Sequence, residues 1–166
     1  MDRKDRIITE EQAYTSMTRV CSKKECAPFD IERKLIRMGF SVQAANKVIN
    51  RLKKEKYLDE KRFIHSYIHD KLHFNKWGKR KITLLLEQKQ LPPDLIEEMF
   101  SEFSDVATSE SLQPILEKKW KSVKGKSDYE KRGKLIRYAL GRGFTIDEVI
   151  SWLKKMEIGE LFDETE

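Results

Sequence analysis

At three points in this chain a helical pattern stops and restarts through the same short turn. The stretches MGFSVQAANKVINRL and RGFTIDEVISWLKKM superpose with Gly39 on Gly143, Phe40 on Phe144, Ser41 on Thr145 and Val42 on Ile146. The apolar positions Ala45, Ile49 and Leu52 then fall on Val149, Leu153 and Met156. KQLPPDLIEEMFSEF joins them, with Leu91 at the Phe40 position, Pro93 at Val42, Ile96 at Ala45, Phe100 at Ile49 and Phe103 at Leu52. Each part has a physical task. A glycine ends a helix in the left-handed conformation, the next apolar residue staples the turn to the following helix, and Ser or Thr caps that helix. Recurrence at roughly 50 residues predicts an all-α chain of three tandem three-helix repeats. One such unit has a thin core, so neighbours must stack and share burial, giving an elongated, curved rod. The expected divisions are a frayed lead over 1–8, repeats over 9–56, 57–104 and 105–156, and an acidic tail over 157–166.

Local signals fill in the units. Thr9 to Gln12 reads as a capping box opening a helix to about Lys24, and Pro28 suits the first turn of a helix carrying Ile31, Leu35 and Met38. Asp59 is placed to cap a helix with Phe63, Ile64, Tyr67, Ile68 and Leu72 on one side. After a break at 75–78, Trp77 precedes Gly78 and staples onto Ile82. A loop rich in Ser, Asp and Thr is expected from about Ser104 to Ser109. Beyond it a helix carries Leu112, Leu116 and Trp120, and Gly125 is placed to close it. Ser127 to Glu130 and Thr145 to Glu148 are two further capping boxes. Trp120 and Trp152 fall on apolar stripes and are expected in the core.

Charged residues (37%) nearly equal the hydrophobic class (39%), which suits long solvated helical faces. The net charge of +6 favours a polyanionic or acidic partner. The excess is local: Lys118 to Arg142 is dominated by Lys and Arg against Asp128 and Glu130, whereas Glu157 to Glu166 contains no base. The basic residues point to a binding surface. Arg33, Lys34 and Arg37 lie away from the apolar stripe of the second helix, Lys79, Arg80 and Lys81 crowd the first turn of the fifth, and Lys134 and Arg137 flank Leu135 on the eighth. All three are the middle helices of their units, so stacking would align the charges into a discontinuous ribbon for DNA or an acidic protein groove. A basic triplet at a helix N-terminus opposes the macrodipole, which implies a negative neighbour outside the helix.

Catalytic motifs are not found: no Gly-rich phosphate loop, no G-x-S-x-G and no H-E-x-x-H. An enzyme is not expected, nor a cofactor or a metal. His65, His69 and His73 run along one side of a helix, but without evident spacing to a fourth ligand, and read as a solvent-exposed flank. Cys21 and Cys26 form neither a C-x-x-C pair nor a zinc knuckle, and read as reduced thiols. No apolar run approaches a signal peptide or a membrane span, so a cytoplasmic protein that does not engage membranes is expected.

Tyr57-Leu58-Asp59 with Phe63, the Trp77-Gly78-x-Arg80-x-Ile82 segment, and Leu135-Ile136 followed by Arg142-Gly143-Phe144 resemble the RecX family, as do Leu35, Gly39-Phe40-Ser41 and Leu52. The resemblance runs from about Thr9 to Met156. Two departures are Lys79, where many relatives have Pro, and Gln90, where they commonly have Gly. The resemblance implies a non-enzymatic, monomeric regulator that lies in the groove of the RecA–DNA filament. Such a protein would restrain ATP hydrolysis, strand exchange and repressor cleavage by the recombinase, in DNA repair, recombination and the SOS response. It also implies direct, weaker and non-specific binding to single- and double-stranded DNA. The competing reading is a transcription regulator of homeodomain-like units. Its recognition helices would then include the acidic PPDLIEEMFSEF and the one opening with Asp147 and Glu148, which repel DNA.

Overall fold

The structure, a computed structural model, describes residues 7–104 and 112–163, the last of these as backbone alone beyond Met156. Among the described residues there are nine helices and no strands: α1 (Glu10–Lys23), α2 (Pro28–Arg37), α3 (Val42–Lys54), α4 (Glu60–His73), α5 (Lys79–Gln88), α6 (Pro93–Phe100), α7 (Leu112–Ser122), α8 (Asp128–Gly141) and α9 (Ile146–Asp163). Extensive helix–helix packing occurs only within the units α1–α3, α4–α6 and α7–α9. Each unit has its own core: Leu35, Ile49 and Leu52 in the first, Ile68, Ile82 and Phe100 in the second, Leu116, Leu135 and Phe144 in the third. Three separate cores, with extensive packing confined to each unit, place the units in series rather than around one common core.

The caps form as their chemistry requires. Thr9 and Gln12 bond each other's backbone amides in a capping box, Ser41 accepts from Ala44, Asp59 from Arg62, and Thr145 and Glu148 complete a second reciprocal box. Near Ser127 the box is skewed: Ser127 Oγ accepts from the Glu130 amide, while the Glu130 carboxylate reaches past Ser127 to the Lys126 amide. Gly125 does not close α7, which ends at Ser122. Gly125 instead packs against Lys131, where a Cβ would come within 3.0 Å of the lysine side chain. At the far end α9 continues past Met156 to Asp163. The expected loop from about Ser104 to Ser109 falls outside the described residues from 105 onward.

The three turns match in atomic detail. Phe40, Leu91 and Phe144 each donate their amide to the carbonyl five residues earlier, on Leu35, Leu86 and Ala139. Gly39, Gln90 and Gly143 donate to Ile36, Glu87 and Leu140. This is the Schellman pattern, and it requires a left-handed residue: φ is +99 at Gly39, +59 at Gln90 and +94 at Gly143. Gln90 thus holds a glycine conformation with a side chain attached, at a cost of about 1 kcal/mol.

The units meet where the start of one middle helix seats on the turn of the next unit. Between the second and third, the Gly78 amide donates to the Arg142 carbonyl at 2.8 Å and the Arg80 amide to the Gly143 carbonyl at 3.2 Å. Arg142 also bonds the Asn75 carbonyl at 2.9 Å. Between the first and second, Ala27 is buried in the second core, and Pro28 and Phe29 line one cleft with Gln90 and Leu91. Side chains tie this joint: Lys89 to Asp30 at 2.6 Å and Arg62 to Glu25 at 3.0 Å.

Candidate functional site

The cations of the sequence-derived ribbon form three groups, one on each middle helix. On α2, Arg33 and Arg37 are exposed and Lys34 is half-buried. The three share a cleft of about 230 Å³ with Lys24, but also with Glu25 and Asp30. On α5, Lys79 is drawn to Glu97 at 2.7 Å and lies 5.1 Å over the Phe100 ring. Lys81 is half-buried with its ammonium 4.2 Å over Trp77. Arg80 is exposed and has no ion-pair partner among the described residues. On α8, Lys134 donates to the Lys124 carbonyl at 2.6 Å and lies 3.6 Å from Glu130. Arg137 projects into solvent. The Glu130 carboxyl is held below its usual range, first by the Lys126 amide, with Lys134 and Arg137 adding to it.

The groups are not in strict register. The step that carries Phe40 onto Phe144 carries Arg33 onto Arg137, but the step onto Leu91 carries Arg33 onto Leu84. Lys81 and Lys134 share a position that holds Asp30 in the first unit. The negative neighbour implied by the basic triplet on α5 is intramolecular: the carbonyl-bearing end of α8 abuts the first turn of α5 through Arg142 and Gly143. That end carries a partial negative charge, which offsets Lys79, Arg80 and Lys81.

The other polar candidates have local partners. His65 lies 3.6 Å from Glu102, with its ring 5.0 Å from that of Phe103. The His69 and His73 rings lie 4.4 Å apart, tilted by 50°. Among the described residues no group of three or more His, Cys, Asp or Glu gathers as metal ligands would. Cys21 and Cys26 are both buried and unbridged. Burial, and then the neighbouring Cys26, pushes the Cys21 thiol up to about 12. Burial also raises the Glu148 carboxyl at the start of α9. Trp120 and Trp152 are half-buried rather than core, and line an apolar groove of about 270 Å³ with Met156.

One surface was not visible in the repeat pattern. The loop between α4 and α5 faces α7 and the C-terminal end of α8 across a groove of about 550 Å³, with Lys76, Lys118, Lys119 and Arg142 along it. The only sequence signal for it is the basic run from Lys118 to Arg142, because Lys76 and Phe74 reach it from another unit. No helix of the described residues is long and apolar enough to cross a membrane.

Together these features define a tandem three-helix repeat protein with a cationic surface spread over its length. Residues 59–99 match the second three-helix domain of RecX and residues 108–153 the third. A regulatory protein RecX from Prosthecochloris aestuarii is 32% identical over 129 residues, covering 74% of this chain and 83% of that protein. One from Clostridium botulinum (strain Eklund 17B / Type B) is 30% identical over 135 residues, covering 80% of this chain and 63% of the relative. This chain belongs to the RecX family. It spans about 63% of the length of that clostridial relative. In solved structures, RecX from Lactobacillus salivarius superposes with a TM-score of 0.78 over 90% of this chain and 97% of its own, at 19% identity. A second regulatory protein RecX gives 0.79 over 88% and 73%, at 18% identity. At those identities the likeness is one of fold.

Proposed function

We propose that this chain is a non-enzymatic regulator of a RecA-type recombinase, lying along the RecA–DNA filament and restraining it. The observation that carries the reading is the match of two successive three-helix domains to RecX, with relatives that bear the name regulatory protein. The fold supports it physically. Exposed guanidinium groups at Arg33, Arg37, Arg80 and Arg137 stand on the middle helix of each of the three units. With Lys34, Lys79, Lys81 and Lys134 they would follow a polyanionic groove, and binding would weaken with salt through counterion release. In this reading the protein acts as a monomer in the cytoplasm, in DNA repair and recombination, and touches DNA weakly by itself.

The test is ATP hydrolysis by the cognate RecA on excess single-stranded DNA, with this protein added to preformed filaments. Inhibition well below one molecule per recombinase protomer is the expected result. Undiminished hydrolysis at every ratio would overturn the reading. Charge reversal at Arg33, Arg37 and Arg137 should raise the concentration needed for inhibition, and an unchanged concentration would remove the ribbon from the reading.

A further inference from the structure

The groove between the second and third units differs in kind from the ribbon. Its described lining holds Lys76, Lys118, Lys119 and Arg142 and no carboxylate. Four other grooves each include at least one Glu. Lys119 and Arg142 sit at the carboxyl-terminal ends of α7 and α8, whose partial negative charge offsets part of the repulsion among the four cations; a bound anion would offset the rest.

Two aromatic rings stand in the same groove, and they are in different states. Tyr138 is already engaged, with the Lys119 ammonium 4.7 Å and the Arg142 guanidinium 5.3 Å from its ring centre. Phe74 is 77% exposed, at the carboxyl end of α4. Its backbone is fixed. The Phe74 amide donates to Asp70 at 2.8 Å, the next carbonyl is held by Arg142 at 2.9 Å, and Trp77 donates back to Lys71 at 3.0 Å. Phe74 meets the His69 ring edge-on, at 6.5 Å between centres, and is otherwise largely exposed. An exposed aromatic on a pinned turn, beside a row of cations, is what a single strand needs: a face for one base and positive charge for the phosphates on either side. A duplex keeps its bases stacked on each other and cannot use such a face.

We infer that this groove is a single-stranded nucleic-acid site, in which Phe74 stacks a base and Lys76, Lys118 and Lys119 follow the backbone. Arg142 has a double task, bridging the two units through Asn75 while facing the strand. The site shares no residue with the middle-helix ribbon; it rests on the weak DNA contact of the proposed function, and oligo(dT) binding without a recombinase tests it separately from filament inhibition.

The experiment is fluorescence anisotropy of the full chain with labelled oligo(dT) and with a duplex of equal length, over a salt series. Phe74→Ala should weaken oligo(dT) binding by about 10-fold and leave the duplex unchanged, since stacking is lost and charge is not. Phe74→Tyr should restore it. Lys118→Ala with Lys119→Ala should reduce the salt slope by roughly 1.4, two phosphate contacts on a single strand. Because Phe74 is largely exposed, its removal does not threaten the fold. Unchanged oligo(dT) binding by Phe74→Ala, or an equal loss on duplex, overturns the site.

Discussion

The turns at Gly39 and Gly143 share one backbone and differ in what sits beside them. Both are left-handed, at φ +99 and +94, and both close a Schellman motif. A Cβ built on Gly39 meets nothing within 4 Å, whereas one on Gly143 would lie 2.3 Å from the Lys81 Cβ and 2.6 Å from the Lys81 amide nitrogen. The first glycine is required by its dihedral angle alone, the second also by the unit that docks on it. The joint between the first two units shows a third solution. There Ala27 and Gln90 stand where the other joint has Gly78 and Gly143, and ion pairs at Lys89 and Arg62 take over from backbone hydrogen bonds. One repeat motif therefore supports a close, backbone-bonded joint and a looser, side-chain-bonded one.

The strongest break of this comparison is Gly143→Ala, which should cost about 2–4 kcal/mol, combining overpacking with the left-handed penalty. Gly39→Ala should cost only about 1 kcal/mol, the dihedral term alone. The difference between their urea midpoints measures the joint. Gly78→Ala isolates the same contact from the other side, since its Cβ would lie 2.3 Å from the Gly143 carbonyl oxygen. It should split one cooperative transition into two as the third unit uncouples. Equal effects at Gly39 and Gly143 would mean that the joint contributes nothing.

Gln90→Gly goes the other way and should stabilise by about 0.5–1 kcal/mol, by relieving a side chain at φ +59. No gain would mean that the Gln90 side chain has contacts that offset its strain. Lys89→Ala removes the 2.6 Å pair with Asp30, which is 26% and 39% exposed. The loss should be at most about 0.5–1 kcal/mol and should shrink in high salt. The same salt series should move the Gly78–Gly143 joint less, because its backbone bonds are neutral and salt screens only the attraction of the nearby cations to the α8 end.

The sequence was informative where structure is local. The caps at Thr9, Ser41, Asp59 and Thr145, the stops at Gly39 and Gly143, and the buried stripes through Ile31, Ile64 and Val149 all follow from contacts three to five residues apart. Gln90 could be placed at the turn by its position but not by its residue type. What stayed hidden depends on distant partners. Gly78 reads as a helix start, yet its lack of a Cβ is demanded by Gly143. Trp120 and Trp152 match an apolar period and pack against the third core, yet each leaves part of its ring on an open groove, with the Lys131 ammonium 5.6 Å over Trp120. Phe74 and Lys119 gave no joint signal, since their groove exists only once the second unit docks on the third.

The smallest effect separates the two joints by chemistry rather than by shape. Cys26 directly precedes Ala27 at the first joint, and Cys21 lies in the same core, while the chain has no other cysteine. Burial raises the folded Cys21 thiol to about 12, against an unfolded value of about 8.5. Above the unfolded value the unfolded chain binds fewer protons than the folded one, so stability falls as pH rises and is fully present below it. At pH 9 the loss should be no more than about 1 kcal/mol, growing toward pH 12. Hydrogen exchange across this range should show α1 and α2 loosening while the amides of Gly78 and Arg80 stay protected. Cys21→Ala should flatten the dependence of α1 and α2 on pH. If the second joint loosened first, or if Cys21→Ala left the slope unchanged, the alkaline sensitivity would belong to the lysines that both joints share.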